Sequence, residues 1–81
     1  MIGPFDYAEI RKNTMFPIIC VYRHPKDYPN KFVARLFDID IPTDVAEVAD
    51  TLDEIRQTIP PNMERIERHE NDDEYIVETW I

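Results

Sequence analysis

Apolar residues in this chain fall in short blocks separated by polar, proline-marked connections. Phe16 to Tyr22, read FPIICVY, is rich in β-branched and aromatic residues and short, which predicts a strand. Its alternate positions, Phe16/Ile18/Cys20/Tyr22 and Ile19/Val21, are apolar on both sides. That places it inside a sheet with each face at least partly covered. After the polar stretch His24 to Asn30, Lys31 to Phe37 alternates, with Phe32/Ala34/Leu36 on one side and Val33/Arg35/Phe37 on the other. This predicts a second strand, antiparallel to the first in a long hairpin, with Asp38 to Pro42 leading away from it. Pro29 presets φ for the second position of a turn, and Asn30 tolerates the left-handed region that a type II turn needs third.

The segment 43–59 has two readings. Val45, Val48, Leu52, Ile55 and Ile59 form one helical stripe if 44–59 is a single helix. Against this, Asp50 and Thr51 would sit in mid-helix, where their side chains compete with the backbone. Thr51-Leu52-Asp53-Glu54 also has the Thr-x-x-Glu form of a capping box, the chemistry of a helix start. A strand over about 45–49 and a helix over 52–59 is the favoured reading. Either helix ends before Pro60, because the residue preceding a proline is disfavoured in the α region.

Met63 to Arg68 reads as a weak edge strand. Tyr75 to Ile81 reads as a strong one, so apolar that it must be tied into a sheet or buried at a subunit contact. His69 to Glu74, HENDDE, is expected to be the polar turn between them. A short helical turn over Phe5 to Lys12, opened by Pro4, completes the inventory. The resulting fold class is α+β: a small single domain spanning 1–81, with an antiparallel sheet of about four or five strands and one main helix, about 52–59, packed on one face.

Composition then limits function. There is no serine, so serine nucleophiles are excluded, and the only glycine is Gly3, which rules out glycine-rich phosphate loops. Cys20 is the only cysteine, so no internal disulfide forms and a reducing, cytoplasmic setting is expected. Neither a signal peptide nor a membrane span is expected from the apolar runs. The net charge of -8 is uneven: six Lys/Arg stand against three acids over 1–37, and three against fourteen over 38–81. Such a balance repels nucleic acid.

Candidate chemistry is thin. Cys20 and His24, four residues apart on a strand, stand about 13 Å apart, too far for a nucleophile–base dyad. Cys20 is therefore read as a small hydrophobe. His69 with Glu70, Asp72, Asp73 and Glu74 lacks the spacing of a zinc site and the glycine of a calcium loop. No catalytic residue, cofactor or metal is expected. Cations and aromatics alternate through the first hairpin loop, where they could grip a partner. They and the apolar ending define the candidate interaction surface as Tyr22, Arg23, Lys26, Tyr28, Tyr75 and Trp80.

The ending Asp72-Asp73-Glu74-Tyr75-Ile76-Val77-Glu78-Thr79-Trp80-Ile81, with Ala49 to Arg56 upstream, resembles small uncharacterised bacterial proteins, a likeness that implies no activity. The hairpin, following strand and "ADTLDEI" are similar in plan to HicB-type antitoxins. That resemblance implies a β-β-β-α-β module that neutralises an RNA-cleaving toxin, although the family's glycine-containing hairpin and appended DNA-binding segment are missing here. The expectation is a non-enzymatic interaction or regulatory protein that acts on an unknown protein partner, with a homodimer through the C-terminal strand as one form. The alternatives are an acidic inhibitor of a nucleic-acid-acting protein and an enzyme with an unrecognised site.

Overall fold

Strand β1, Pro17–Arg23, is the middle of the sheet because it is apolar on both faces. In a computed structural model that describes residues 7–67 and 74–81, it pairs antiparallel with β2, Phe32–Asp38, in the register Cys20 to Arg35. β2 pairs in turn with β3, Ile41–Ala49. On the other side β1 pairs antiparallel with β5, Ile76–Trp80, which is flanked by the short β4, Arg65–Glu67. The five strands run in the order β3-β2-β1-β5-β4. Helix α1, Tyr7–Asn13, precedes the sheet, and α2, Leu52–Thr58, links its two edges. This is the α+β fold that the hydrophobic pattern predicts.

Thr51 decides the ambiguous segment. It is extended at the N-cap of α2, its hydroxyl accepts the Glu54 N–H at 3.2 Å, and it donates to Glu54 Oε1 at 3.1 Å. The chain therefore leaves β3 at Ala49 and starts α2 afresh, with Pro60 following the C-cap, Ile59. β3 is longer than expected, beginning at Ile41 rather than near 45. Pro42 lacks an N–H, so it fits only such an edge strand. A bulge opposite Arg35–Phe37 accommodates it, and the Thr43 hydroxyl donates to Leu36 O at 2.8 Å.

Two turns differ from expectation. Lys31 N–H bonds Tyr28 O at 3.1 Å, so Pro29 and Asn30 do occupy the turn's centre. Asn30, however, is not at positive φ, and the type II turn is replaced by one with negative φ at both central residues. Among the described residues other than glycine, those at positive φ are His24, at 47°, and Ile39, at 61°. Ile39 and Asp40 form a two-residue connection between Asp38 and Ile41, which face each other across β2 and β3. The segment 38–42, which the sequence pattern leads away from the hairpin, instead folds straight back as a second hairpin.

The core lies on one face of the sheet. Ile19, Val21, Ala34 and Leu36 pack against Ile10 of α1, Ile55 of α2, and Ile59 and Met63 just beyond it. The short helix therefore supplies a second cover beside the main one. Burying each of the Ile, Val, Leu and Met side chains stabilises the fold by about 1.5–3 kcal/mol. The ending is tied in as expected: β5 has a neighbour on each side, and Ile81 exchanges two backbone hydrogen bonds with Glu64. The polar turn expected at 69–74 lies, but for Glu74, outside the described residues.

Candidate interaction surface

Because successive side chains on a strand point to opposite faces, every residue that does not join the core faces the other way. On that second face β1 presents Ile18, Cys20 and Tyr22, all only partly buried. β2 adds Val33, Arg35 and Phe37, and β3 adds Ala46 and Val48. Thr79, opposite both Cys20 and Ile66, carries the face across β5 to β4. Among the described residues no helix packs on this face. Val48 and Ile66 remain 42% and 45% exposed, and Phe16, just before β1, 52%.

The face is unlike the rest of the surface in charge. Of the whole chain 32% is Asp, Glu, Lys or Arg. Yet within β1, β5 and β4 only uncharged residues turn toward it; among the described residues its ionic groups are Arg35 and Asp44 on the β2–β3 side and Glu64, which pairs with Ile81 just before β4. There the loop after β1 folds over the sheet: Asp27 accepts from Arg35 Nη2 at 2.6 Å, and Val33 beneath is fully buried. Asp27, Tyr28, Arg35, Asp44 and Val48 line a shallow concavity of about 350 Å³.

The helix-covered face carries charge in a more enclosed place. Glu78 on β5 is 1% exposed, opposite Val21. Arg56 of α2 donates to both its oxygens, from Nη2 at 2.7 Å and from Nε at 3.2 Å. Trp80 Nε1 donates to Oε2 at 2.8 Å, and Arg65 Nη1 lies 3.9 Å from Oε1. Burial raises the Glu78 pKa, but the hydrogen bonds from Arg56 and Trp80 and the charges of Arg56 and Arg65 outweigh it, so the carboxyl ends below its ordinary value. The bond to Glu78 raises the Arg56 pKa in return. This carboxylate is held ionised and saturated with donors, which makes it a clamp between α2 and β5 rather than a proton-transfer group.

Glu47 on β3 is its opposite. It is 6% exposed beside Ala34, and its Oε2 has no hydrogen-bond partner. Desolvation raises its pKa.

The residues singled out from the sequence separate between these environments. Tyr22 and Tyr28 belong to the open face, and Lys26 is exposed in the loop at its edge. Arg23 sits with its guanidinium carbon 5.6 Å from the Phe32 ring centre, which His24 also meets edge-on at 5.2 Å. Tyr75, just before β5, accepts the Arg23 N–H at 2.7 Å through its carbonyl. Trp80 points to the helix layer and belongs to the Glu78 clamp. The six do not form one patch.

Glu78, Arg56 and Glu47 were missed as a group. The available signal is Glu78 itself, a carboxylate two residues from Trp80 in an otherwise uncharged strand, which demands a cation when that face is buried. No protein-family model, curated protein or solved structure matches the chain. Among the described residues no group of three or more His, Cys, Asp or Glu could hold a metal ion, and no helix is long and apolar enough to cross a membrane.

Proposed function

We propose that this chain is a non-enzymatic, cytoplasmic interaction module that works through protein contacts, and that the open face of its sheet is the contact surface. The observation that carries the proposal is the depletion of charge across β1, β5 and β4 on a face that no described helix covers. Interface centres are depleted in charge in the same way, and large apolar surfaces left to water are rare on monomers. The buried ionic groups support the reading from the other side. Glu78 is committed to Arg56 and Trp80 and so is not available as an acid–base group.

Affinity recovery of the tagged chain from its host at low ionic strength tests this. The expectation is a stoichiometric protein companion, itself or another, that is lost when Val48 and Ile66 are both changed to lysine. Recovery of the tagged chain alone and monomeric would contradict it. Stabilisation by one member of a metabolite panel, or a melting temperature lowered by a chelator, would favour an enzyme instead.

A second reading is an acidic inhibitor of a nucleic-acid-acting protein. Its support is the net charge of -8 and the order β1-β2-β3-α2, which follows the plan of HicB-type antitoxins. Here two strands follow α2 where that plan has one. A basic companion released by moderate salt would select this reading.

A further inference from the structure

We infer that the outer edge of β3 is a docking site for an extended basic segment of a partner protein, which joins the sheet as a sixth strand beside Glu47. The site is the rim of the sheet rather than its open face, so the inference stands apart from the open-face reading.

The backbone supplies the first argument. His24 N–H bonds Lys31 O and Ile39 N–H bonds Phe16 O, which fixes the alternation of hydrogen-bonded pairs between β1 and β2. Val33, Arg35 and Phe37 therefore turn their backbone groups to β1, while Phe32, Ala34 and Leu36 turn theirs to β3. Glu47 and Ala49 stand opposite Ala34 and Phe32, so the N–H and C=O groups of Ala46 and Val48 point away from the sheet. Among the described residues no strand lies beyond β3. Its nine residues contrast with the three of β4, an edge protected by its shortness.

Glu47 supplies the second. It is 6% exposed at the rim of the helix-covered face, and its Oε2 has no donor. A charge turned inward on an edge strand rejects an uncharged or acidic newcomer, which would enclose the carboxylate further without a partner. A lysine or arginine at the facing position reverses that cost. In an antiparallel pair this position is a non-hydrogen-bonded one, where Cα atoms stand about 4.5 Å apart and side chains are closest. The same residue thus excludes one class of strand and admits another.

Charge on the other face sets the spacing. Asp44, Ala46 and Val48 line the concavity beside Tyr28, where Arg35 is already held by Asp27. Asp44 has no ion pair among the described residues. It stands three residues before Glu47 and on the opposite face, so a strand with two basic residues three positions apart reaches both carboxylates. The β3 strand of a second copy would bring the same two acids against them. A basic partner is therefore the occupant.

Isothermal titration of the full chain with the capped octapeptide TVKIVKVT tests the inference. Binding is expected to be roughly tenfold tighter, or more, than that of TVEIVEVT and of TVKIKVVT, whose lysines share one face. Ala46→Pro removes an N–H that points outward and Glu47→Gln removes the charge, so both are expected to keep the fold by circular dichroism. Each is expected to weaken binding roughly tenfold or more, whereas Ile66→Lys, four strands away, leaves it unchanged. The isoleucine of the peptide faces Ala46, so its N-methylation is expected to abolish binding with the protein itself unaltered. No binding of TVKIVKVT overturns the inference, as does equal binding of any control peptide or by Ala46→Pro or Glu47→Gln. An equal loss in Ile66→Lys also overturns it, as does self-association that Ala46→Pro abolishes, which would give the edge to a second copy. None of these outcomes decides the open-face reading, which the Val48 and Ile66 double variant tests.

Discussion

Trp80 and Glu78, two residues apart on β5, are joined by an indole-to-carboxylate hydrogen bond of 2.8 Å, and Arg56 closes on the same carboxylate from α2. The apolar ending, which the sequence requires to be tied in, is anchored through its one charged residue. Glu78 is buried, whereas the Arg56 side chain is 39% exposed.

That asymmetry predicts unequal mutants. Arg56→Met leaves a buried carboxylate with only Trp80 and the more distant Arg65, and is expected to cost about 3 kcal/mol. Glu78→Gln frees an arginine that can turn to water, and is expected to cost less, about 1–2 kcal/mol. The double variant Arg56→Met/Glu78→Leu should recover most of the loss. Urea unfolding of the three variants checks the order, and a larger loss for Glu78→Gln than for Arg56→Met would contradict the clamp.

The pH dependence follows from the same site. Glu78 has a lowered pKa in the folded chain, so its contribution is fully present above the ordinary carboxyl range near 4.5. It is lost as pH falls through the lower folded value. The stability gap between wild type and Glu78→Gln should therefore close between about pH 5 and pH 2. Thermal melts across that range measure it, and a gap that persists unchanged at the acid end would contradict the assignment.

Glu47 has the opposite sign. Desolvation raises its folded pKa, so its ionisation opposes folding once pH exceeds that value. Glu47→Gln removes the charge from a site with an unpartnered oxygen and is expected to stabilise the chain at pH 7 by about 1 kcal/mol. The gain should vanish near pH 4, where wild-type Glu47 is itself protonated. Destabilisation at pH 7 would show that the carboxylate has a use in the fold.

Ile39 holds φ at 61° in the connection between β2 and β3, where a β-branched side chain is sterically costly. It is 55% exposed, so little burial is at stake. Ile39→Gly is expected to raise stability by about 1 kcal/mol, read as an increase in denaturant midpoint at constant m-value. An unchanged or lower midpoint would contradict strain at this position.

These sites show which parts of the fold could be read from sequence. The strand at 16–22, the alternation at 31–37 and the Thr51–Glu54 cap were legible because each is a local pattern with a local cause. Asn30 misled because tolerance of positive φ is not a requirement for it, and the turn closes without it. Ile39 gave no warning, since an isoleucine is the wrong residue for a tight connection and only the pairing of Asp38 with Ile41 reveals one. The clamp was hidden for a different reason. The register of β1 against β5 shifts between Val21 and Tyr22, and no sequence period announces such a shift. Arg56 and Glu78 are brought together only by the crossover from one sheet edge to the other. The interaction surface was half legible: Tyr22 and Tyr28 lie on it, but Trp80, the residue that most resembled a contact, is spent inside the fold.

The central claim, that the open face of the sheet is a contact surface, is tested most directly by affinity recovery of the tagged chain at low ionic strength. The account predicts a stoichiometric protein companion that is lost when the half-exposed Val48 and Ile66 are both changed to lysine. Recovery of the tagged chain alone and monomeric would contradict the account.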